Sequence, residues 1–321
     1  MDPEPSWSWS PGDELAPGLL AWALLGDGRR CETWLAWDVG RWCPVAVKLP
    51  RPAPASPSPR PAAATRAVAA LAREAQVAGS TAHPGIRRLL SSRLERPLPH
   101  LVFEYVEGPT LDDALADDGP FHPIDVLLAG MQLAAALGHL HGRGLAHLDV
   151  KPGNVVLREG RPVLIDLGLA RPLGEPAGRH RRGSPPWMAP EQVRRQPASP
   201  GMDLFALGAV LFELATGTQA FDPADGGPPE RRWPQLAGPP PLPSSRNPEV
   251  PAAVDQAVAA LLAPDPADRP ACAAQVLALL AEALPADAAE EDRLWPTWAT
   301  GRLDAWKPSA MERPPPAPRP A

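Results

Sequence analysis

The sequence HLDVKPGN at residues 147–154, followed by LIDLG at residues 164–168, decides how this chain is interpreted. It contains Asp149, then Asn154 five positions later, then Asp166 twelve positions after that. A carboxylate can orient an attacking hydroxyl group, and Mg²⁺ prefers hard oxygen ligands while keeping waters and phosphates around it. The pattern therefore indicates a site suited to phosphoryl transfer from a metal–nucleotide complex.

These two stretches resemble the catalytic loop, H-R-D-L-x-x-x-N, and the metal motif, D-F-G, of the protein kinase family. The resemblance implies that Asp149 is the catalytic base and that Asn154 and Asp166 are magnesium ligands. Lys151 resembles the lysine that serine/threonine kinases place near the γ-phosphate. The implied cofactors are ATP and Mg²⁺.

Lysine and asparagine are rare in this chain, which sharpens the match. Lysine occurs only at Lys48, Lys151 and Lys307, and asparagine only at Asn154 and Asn247. A solvated turn could also contain Asp, Lys and Asn. However, two of the three lysines and one of the two asparagines occupy motif positions, so we favour the catalytic interpretation.

Upstream, VAVK resembles the kinase strand whose lysine binds the α- and β-phosphates, which assigns that role to Lys48. Its expected ion-pair partner is a glutamate on the following helix, and Glu74 within LAREAQ has that position. The alternative is that Glu74 is an ordinary surface charge.

The expected phosphate-covering loop is LLGDGRRCETW, in which Gly26 and Gly28 have the right first spacing. Cys31 stands where the family has a third glycine, and Thr33 where it has a valine. A lone G-x-G is equally consistent with a hairpin turn. Cys31 could be an oxidisable thiol, although a small residue tolerated by the loop is the interpretation we favour.

The sequence FEYVEG resembles the hinge that holds adenine. Phe103 would control access behind the base, and the backbone from Glu104 to Val106 would hydrogen-bond to it. An edge strand is a compatible alternative.

Further motifs extend the resemblance over about residues 19 to 284. GSPPWMAPE at residues 183–191 resembles the end of the activation segment, and Glu191 is expected to pair with Arg269. MDLFALGAVLFELATG resembles the buried family helix whose aspartate, here Asp203, would bond to the catalytic-loop backbone. Each feature alone could be a helix cap or a surface ion pair.

The chain departs from the family at Leu148, where many kinases have an arginine that clamps a phosphate on the activation loop. Between Asp166 and Glu191 the only hydroxyl-bearing residue is Ser184, which resembles a threonine that contacts the catalytic loop. We therefore expect activity without activation-loop phosphorylation. The basic run at residues 179–182 could recruit an acidic or phosphorylated substrate, although a solvated loop is the interpretation we favour.

The predicted fold is α+β: a bilobal kinase with a small strand-rich N-lobe containing one long helix and a larger helical C-lobe. We expect a poorly ordered lead-in at 1–17, a kinase domain at 18–284 with lobes at 18–106 and 107–284, and a Pro/Trp-rich tail at 285–321. Strands are predicted between 19 and 49 and around 100–108, with a Pro/Ala/Ser spacer at 50–61. Helices are predicted at 62–79, 123–142, 202–216, 251–263 and 271–284.

Composition limits the remaining possibilities. The formal net charge of −6 disfavours nucleic-acid binding. Three scattered cysteines indicate neither a disulfide framework nor a metal cluster. We see no signal-like segment and no uncharged run of the ~20 residues that a membrane helix needs, and so expect a cytoplasmic protein without a membrane span.

The function we expect is a serine/threonine protein kinase acting on protein substrates, similar to the bacterial kinases that resemble eukaryotic ones. A pseudokinase scaffold is the main alternative, because the glycine loop is degraded. A small-molecule kinase is a third possibility, which the peptide-docking segment around Glu191 and Arg269 disfavours.

Overall fold

The structure, a computed structural model, describes residues 9–28, 30–51, 61–95, 98–178, 181–222 and 232–285, with the backbone alone over 61–65. These residues form two compact units. The first contains residues up to 82 together with 87–105, and the second contains 83–86 and the residues from 106 onward. Strands dominate the first unit and helices the second, so the predicted α+β class is confirmed.

The first unit is an antiparallel sheet of six strands in the order β1-β2-β3-β4-β6-β5, accompanied by helix α1. Its apolar core includes Trp34, Val45, Val47 and Leu49, which follow the strand alternation expected of a half-buried sheet. The elements are β1 Glu14–Ala16, β2 Leu19–Asp27, β3 Cys31–Asp38, β4 Cys43–Pro50, α1 Pro61–Gly79, β5 Leu89–Arg93 and β6 His100–Glu104.

The predicted lead-in at 1–17 is wrong for β1, which pairs antiparallel with β2. Leu15 is fully buried and Ala16 nearly so, because both side chains join the apolar core of the sheet. Residues 1–8, most of the spacer and all of the tail beyond Pro285 lie outside the described residues.

In the part of the chain that the structure describes, the second unit contains six α-helices and four short strands. Two of these helices, α3 and α5, are long, apolar and largely buried. The helices are α2 Leu111–Asp118, α3 Pro123–His141, α4 Pro190–Val193, α5 Pro200–Thr216, α6 Ala252–Leu261 and α7 Ala273–Ala283, joined by 3-10 turns such as Pro152–Asn154 and Pro185–Trp187. The strands are β7 Leu145–Ala146, β8 Val155–Arg158, β9 Arg161–Leu164 and β10 Arg171–Pro172.

Many prolines lie at helix starts, where the missing N–H would have no helical partner and the fixed φ suits the first turn. Pro123, Pro190 and Pro200 occupy the first or second position of α3, α4 and α5. Pro61 likewise begins α1. A proline-rich composition is in this way compatible with a helical unit.

Helix α3 is the one described helix long and apolar enough to cross a membrane, judged by length and composition. Most of its apolar window is buried inside the second unit, where the helix packs against α7 and α5. Helix α3 also approaches α7 closely: a Cβ on Gly138 of α3 would lie 2.9 Å from the Cβ of Ala273. Its burial identifies α3 as a core helix.

The unit boundary differs slightly from the predicted lobe boundary between 106 and 107. Val106 belongs to the second unit, where it packs with Val156 and Val163. Ile86 also belongs there, because it forms a β-bridge with Leu164. Long-range pairing of this kind has no local sequence signal.

A buried ion pair joins three parts of the second unit. Arg269 donates from Nη1 and Nη2 to the two carboxylate oxygens of Glu191, at 2.7 and 3.0 Å, so the predicted pairing is present. It also donates to the backbone oxygens of Gly201, Ala263 and Pro264. The guanidinium side chain is fully buried, and these acceptors compensate for its loss of water.

Replacing Arg269 with Met should lower the free energy of unfolding by about 3–5 kcal/mol, because the Glu191 carboxylate would remain buried without its partner. The double variant Arg269→Met/Glu191→Leu should recover part of the loss. Urea denaturation of both, with exposed Arg246→Met as the control, measures this. A single-variant loss below about 1 kcal/mol would contradict the assigned role.

Glu213 of α5 is a buried acid that shapes the pH dependence of stability. Burial raises its pKa from 4.5 to about 7, against the opposing hydrogen bond from Trp187 and with a smaller contribution from Asp112. The Trp187 Nε1–H donates to Glu213 Oε2 at 2.9 Å. The carboxyl group is thus neutral in acid and must become charged while buried as the pH rises.

Glu213→Gln should therefore match wild-type stability near pH 4.5 and exceed it increasingly between pH 4.5 and 7, by up to about 3 kcal/mol above pH 7. The amide keeps an acceptor for Trp187 but carries no charge. Denaturation midpoints across this pH range, with exposed Glu282→Gln as the control, test the prediction. A stability difference independent of pH would refute it.

Candidate active site

The loop between β7 and β8 carries the predicted catalytic residues, and its backbone is anchored by Asp203 of α5. Asp203 accepts from the N–H of His147 at 2.8 Å and from the N–H of Leu148 at 2.7 Å, as predicted. Its Oδ2 also lies 2.8 Å from His141 Nε2. Three contacts to a fully buried carboxylate compensate for its desolvation and fix the start of the loop.

Leu148 adopts a left-handed conformation, with φ of 67°, which is unfavourable for a side chain branched beyond Cβ. Both of its backbone groups are held: the N–H by Asp203, and the carbonyl by Gln192 Nε2 at 2.9 Å. The surrounding hydrogen bonds therefore impose the strained conformation that turns the chain into Asp149.

The Asp149 carboxylate is oriented from two sides. Its Oδ1 accepts from the Ser184 hydroxyl at 2.9 Å, and its Oδ2 accepts from Asn154 Nδ2 at 3.0 Å. Lys151 Nζ lies 3.9 Å from Oδ2. An ionised carboxylate has about four lone-pair sites, so these two hydrogen bonds leave capacity to accept one from a substrate hydroxyl.

Asn154 and Asp166 are brought together by the hairpin of β8 and β9. Asn154 immediately precedes β8, Asp166 follows β9 by two residues, and the antiparallel register pairs Val155 with Leu164. The N–H of Ile165 donates to the Asn154 carbonyl at 3.0 Å, which continues the ladder to the end of the hairpin. Two residues twelve positions apart thus become neighbours.

The oxygen donors of this hairpin end suit a magnesium ion. Asp166 accepts from the Gly168 N–H at 2.7 Å through Oδ1, which orients its carboxylate. Asn154 uses its amide nitrogen as donor to Asp149, both to Oδ2 and to the backbone carbonyl, which gives its amide a defined orientation. The described residues contain no group of three or more His, Cys, Asp or Glu able to hold a metal. That is compatible with Mg²⁺, which commonly takes one or two protein ligands together with phosphates.

Lys48 and Glu74 form the predicted ion pair within the first unit. Lys48 Nζ lies 3.0 Å from Glu74 Oε1 and 2.8 Å from Oε2. The Lys48 side chain extends from β4 and is 11% exposed, while Glu74 on α1 is 2% exposed. Burial rules out the alternative that Glu74 is a surface charge.

The predicted glycine loop lies at the turn between β2 and β3. Gly26 is the next-to-last residue of β2, and Gly28 follows that strand. A Cβ at Gly28 would lie 2.8 Å from the carbonyl oxygen of Cys31, so the turn requires glycine there. Cys31 is a partly buried cysteine at the start of β3.

The three predicted hinge residues divide between the units. Phe103 is 2% exposed, with the Arg87 guanidinium 4.1 Å from its ring centroid. The Glu104 N–H donates to the Arg88 carbonyl, and Glu104 Oε1 accepts from the Arg88 N–H. Val106 belongs to the apolar cluster of the second unit.

The structure adds residues to the site that the motifs did not indicate. His141 contacts Asp203, and Gln192 donates to the carbonyl of Leu148. Burial raises the pKa of Asp112, and the nearby positive charge of Lys151 partly opposes that rise. Only α2, which carries Asp112, had a local signal: Thr110 and Asp113 form a capping box before an apolar residue.

In the described part of the basic run, Arg181 is exposed and Arg182 is partly exposed, as expected for a solvated loop, and both also make contacts within the unit. Arg181 donates through Nε to the Val193 carbonyl, and its guanidinium lies 5.1 Å from the Trp233 ring centroid. Arg182 lies within 3.7 Å of Glu175. Residues 179 and 180 are outside the described part of the chain.

Comparison with known proteins agrees with this geometry. The chain is 31% identical to the serine/threonine-protein kinase PrkC of Bacillus subtilis over 285 residues, which is 84% of this chain and 41% of PrkC. It is 30% identical to the serine/threonine-protein kinase PknB of Mycolicibacterium smegmatis over 265 residues, 79% of this chain and 41% of PknB. The chain thus spans about two fifths of the length of these relatives.

The match to a protein-family model covers the part of the chain that contains the candidate site. The protein kinase domain family matches residues 22–279, a range that contains every predicted site residue from Gly26 to Asp166. The chain belongs to the protein kinase domain family.

Proposed function

We propose that this chain is a serine/threonine protein kinase that transfers the γ-phosphate of ATP to hydroxyl groups of protein substrates. The observation that carries the proposal is the Asp149 carboxylate, oriented by Ser184 and Asn154 and adjacent to the end of the β8–β9 hairpin that bears Asp166. The names of PrkC and PknB as serine/threonine-protein kinases support the same acceptor class.

In this mechanism Asp149 orients the acceptor hydroxyl and receives its proton. The lone pairs that Ser184 and Asn154 leave available on the carboxylate would bind that hydroxyl. Lys151, with a side chain 30% exposed and 3.9 Å from Asp149, supplies positive charge at the same position. Most of the catalysis therefore comes from positioning and charge neutralisation.

In this proposal the nucleotide is held by the groups that the family motifs assign. Lys48, oriented by Glu74, would bind the α- and β-phosphates, and the turn containing Gly26 and Gly28 would cover them. Asn154 and Asp166 would hold Mg²⁺, which supplies charge neutralisation on the phosphates when bound. The backbone from Glu104 to Val106 would bind adenine, with Phe103 behind it.

Protein rather than small-molecule substrates follow from the segment that ends at Glu191, because the buried pair with Arg269 gives that segment a fixed platform. The acidic net charge of −6 supports protein over nucleic-acid partners. ATP is a cytoplasmic metabolite, so we place the catalytic domain in the cytoplasm as part of the same proposal.

We also propose that activity does not require a phosphate on the activation segment. Leu148 has no charge with which to clamp one. The hydroxyl of Ser184, the only one between Asp166 and Glu191, already donates to Asp149. Phosphorylating Ser184 would place a second anion beside the catalytic carboxylate.

Asp149→Asn should lower the rate of phosphate transfer to a generic protein substrate by roughly 10²–10⁴-fold, because the amide cannot accept the proton. Nucleotide affinity, measured by calorimetry with ATP and Mg²⁺, should change little. Exposed Asp117→Asn on α2 is the matched control. Wild-type protein that binds nucleotide but transfers no phosphate would favour a pseudokinase scaffold, and transfer only to small molecules would exclude a protein kinase.

Phosphatase-treated protein should retain its full activity, and mass spectrometry of the active protein should find Ser184 unmodified. Activity that disappears on phosphatase treatment and returns when Ser184 alone is phosphorylated would contradict this prediction. Ser184→Ala should lower the rate, since the variant loses the hydrogen bond to Asp149, and phosphatase treatment should not affect it further.

A further inference from the structure

A recess rich in arginine lies beside Leu148 in the second unit. Its empty volume is about 390 Å³, open to solvent, and Arg171, Arg181, Arg182 and Arg195 line it. Among the described residues of this lining, Glu175 is the only carboxylate. Four guanidinium groups around one carboxylate make the recess strongly positive and give that carboxylate an unusual position.

Glu175 lies between two of these arginines. Its Oε1 is 3.5 Å from Arg171 Nε and 3.7 Å from Arg182 Nη1. The Arg171 side chain is 6% exposed, while those of Glu175 and Arg182 are 36% and 37% exposed. One carboxylate oxygen is therefore shared by a buried guanidinium and a partly exposed one.

The two arginines belong to opposite ends of the segment that follows Asp166. Arg171 is in β10, which pairs with Ala146 of β7 just before the catalytic loop. Arg182 lies two residues before Ser184, whose hydroxyl donates to Asp149. Glu175 thus joins the catalytic-loop side of the segment to the part that contacts the catalytic carboxylate.

The backbone around Glu175 is fixed independently of its side chain. The N–H of Gly174 donates to the Ala198 carbonyl at 2.8 Å, and the N–H of Ala198 donates to the Glu175 carbonyl at 3.1 Å. The carbonyl of Arg182 accepts from Gln192 Nε2 at 2.8 Å, the same amide that holds Leu148. The backbone positions of Glu175 and of its partner Arg182 are therefore both set by hydrogen bonds that do not involve the Glu175 carboxylate.

We propose that Glu175 is a positioning residue, whose carboxylate holds Arg171 and Arg182 in the arrangement in which Ser184 contacts Asp149. The negative charge of Glu175 offsets the repulsion between the guanidinium groups of Arg171 and Arg182. Leu148, which stands where many kinases have an arginine, adds no further charge to this group. A built-in carboxylate thereby provides the anion that the segment needs, without modification. This inference rests on the proposed kinase function.

The test compares Glu175→Gln, which keeps the shape and removes the charge, with Glu175→Ala and with the exposed control Glu159→Gln. The two Glu175 variants should lose roughly tenfold to hundredfold in kcat for a protein substrate, with a smaller change in the KM for ATP. Added formate should raise the activity of Glu175→Ala and leave the activity of the wild-type protein unchanged. Chloride at equal ionic strength should raise the activity of neither.

A second readout does not depend on activity. Trypsin should cleave after Arg181 and Arg182 faster in Glu175→Gln than in wild type or Glu159→Gln, while the thermal midpoints of all three stay close. Folded Glu175→Gln with wild-type kcat and wild-type cleavage would overturn the inference. Stimulation of wild type by inorganic phosphate would also overturn it, because the recess would then serve an external anion.

The experiments distinguish loss of the kinase assignment from loss of the role assigned to Glu175. If wild type transfers no phosphate, the proposed function is wrong, and the cleavage comparison still decides whether Glu175 orders the segment. If wild type is active and Glu175→Gln equals it in rate and cleavage, the kinase assignment stands and the role of Glu175 is wrong.

Discussion

The buried carboxylate of Asp203 is the group on which the rest of the site depends. It accepts hydrogen bonds from two consecutive backbone N–H groups, those of His147 and Leu148, and contacts His141 from α3. An anion without solvent exposure is tolerable only when donors surround it, so the helix, the loop and His141 must assemble together. Because Asp203 is part of α5, the packing of α5 against α3 fixes the backbone of the catalytic loop at His147 and Leu148.

This backbone conformation is strained at Leu148, and hydrogen bonds from neighbouring residues maintain it. Leu148 is held at φ of 67° by Asp203 on one side and by Gln192 on the other. Gln192 lies in α4, directly after Glu191, whose ion pair with Arg269 fixes that short helix. The strain at the loop is consequently maintained by the same buried pair that anchors the end of the activation segment.

Three glutamates of the described fold have a cationic partner within it. Glu191 has Arg269, Glu74 has Lys48, and Glu175 lies between Arg171 and Arg182. Glu213 differs from these three, because its main contact is the neutral Trp187 side chain, and burial raises its pKa. Asp149 also differs, since its two side-chain hydrogen bonds come from a hydroxyl and an amide, with the Lys151 ammonium farther away at 3.9 Å. These bonds orient the carboxylate while leaving capacity for a substrate.

Much of this could be predicted from sequence because the signals are local. The spacing of Asp149, Asn154 and Asp166, the strand before Lys48 and the helix around Glu74 each depend on a few adjacent residues. The ordered strand at Glu14–Ala16 was missed, since a Pro/Ser/Trp-rich composition gives no sign that Leu15 is buried in a sheet. The contact of His141 with Asp203 was also missed, as it joins residues 62 positions apart in sequence.

The sequence by itself determined the order of the motifs, the type of each main element and the chemistry of the site residues, because backbone preferences and side-chain types are properties of short stretches. Only the tertiary structure decided which side chains meet: Gln192 with the Leu148 backbone, His141 with Asp203 and Glu175 with two arginines. Those contacts depend on how α4, the activation segment and the catalytic loop pack, and packing is set by apolar surfaces distributed over the whole second unit.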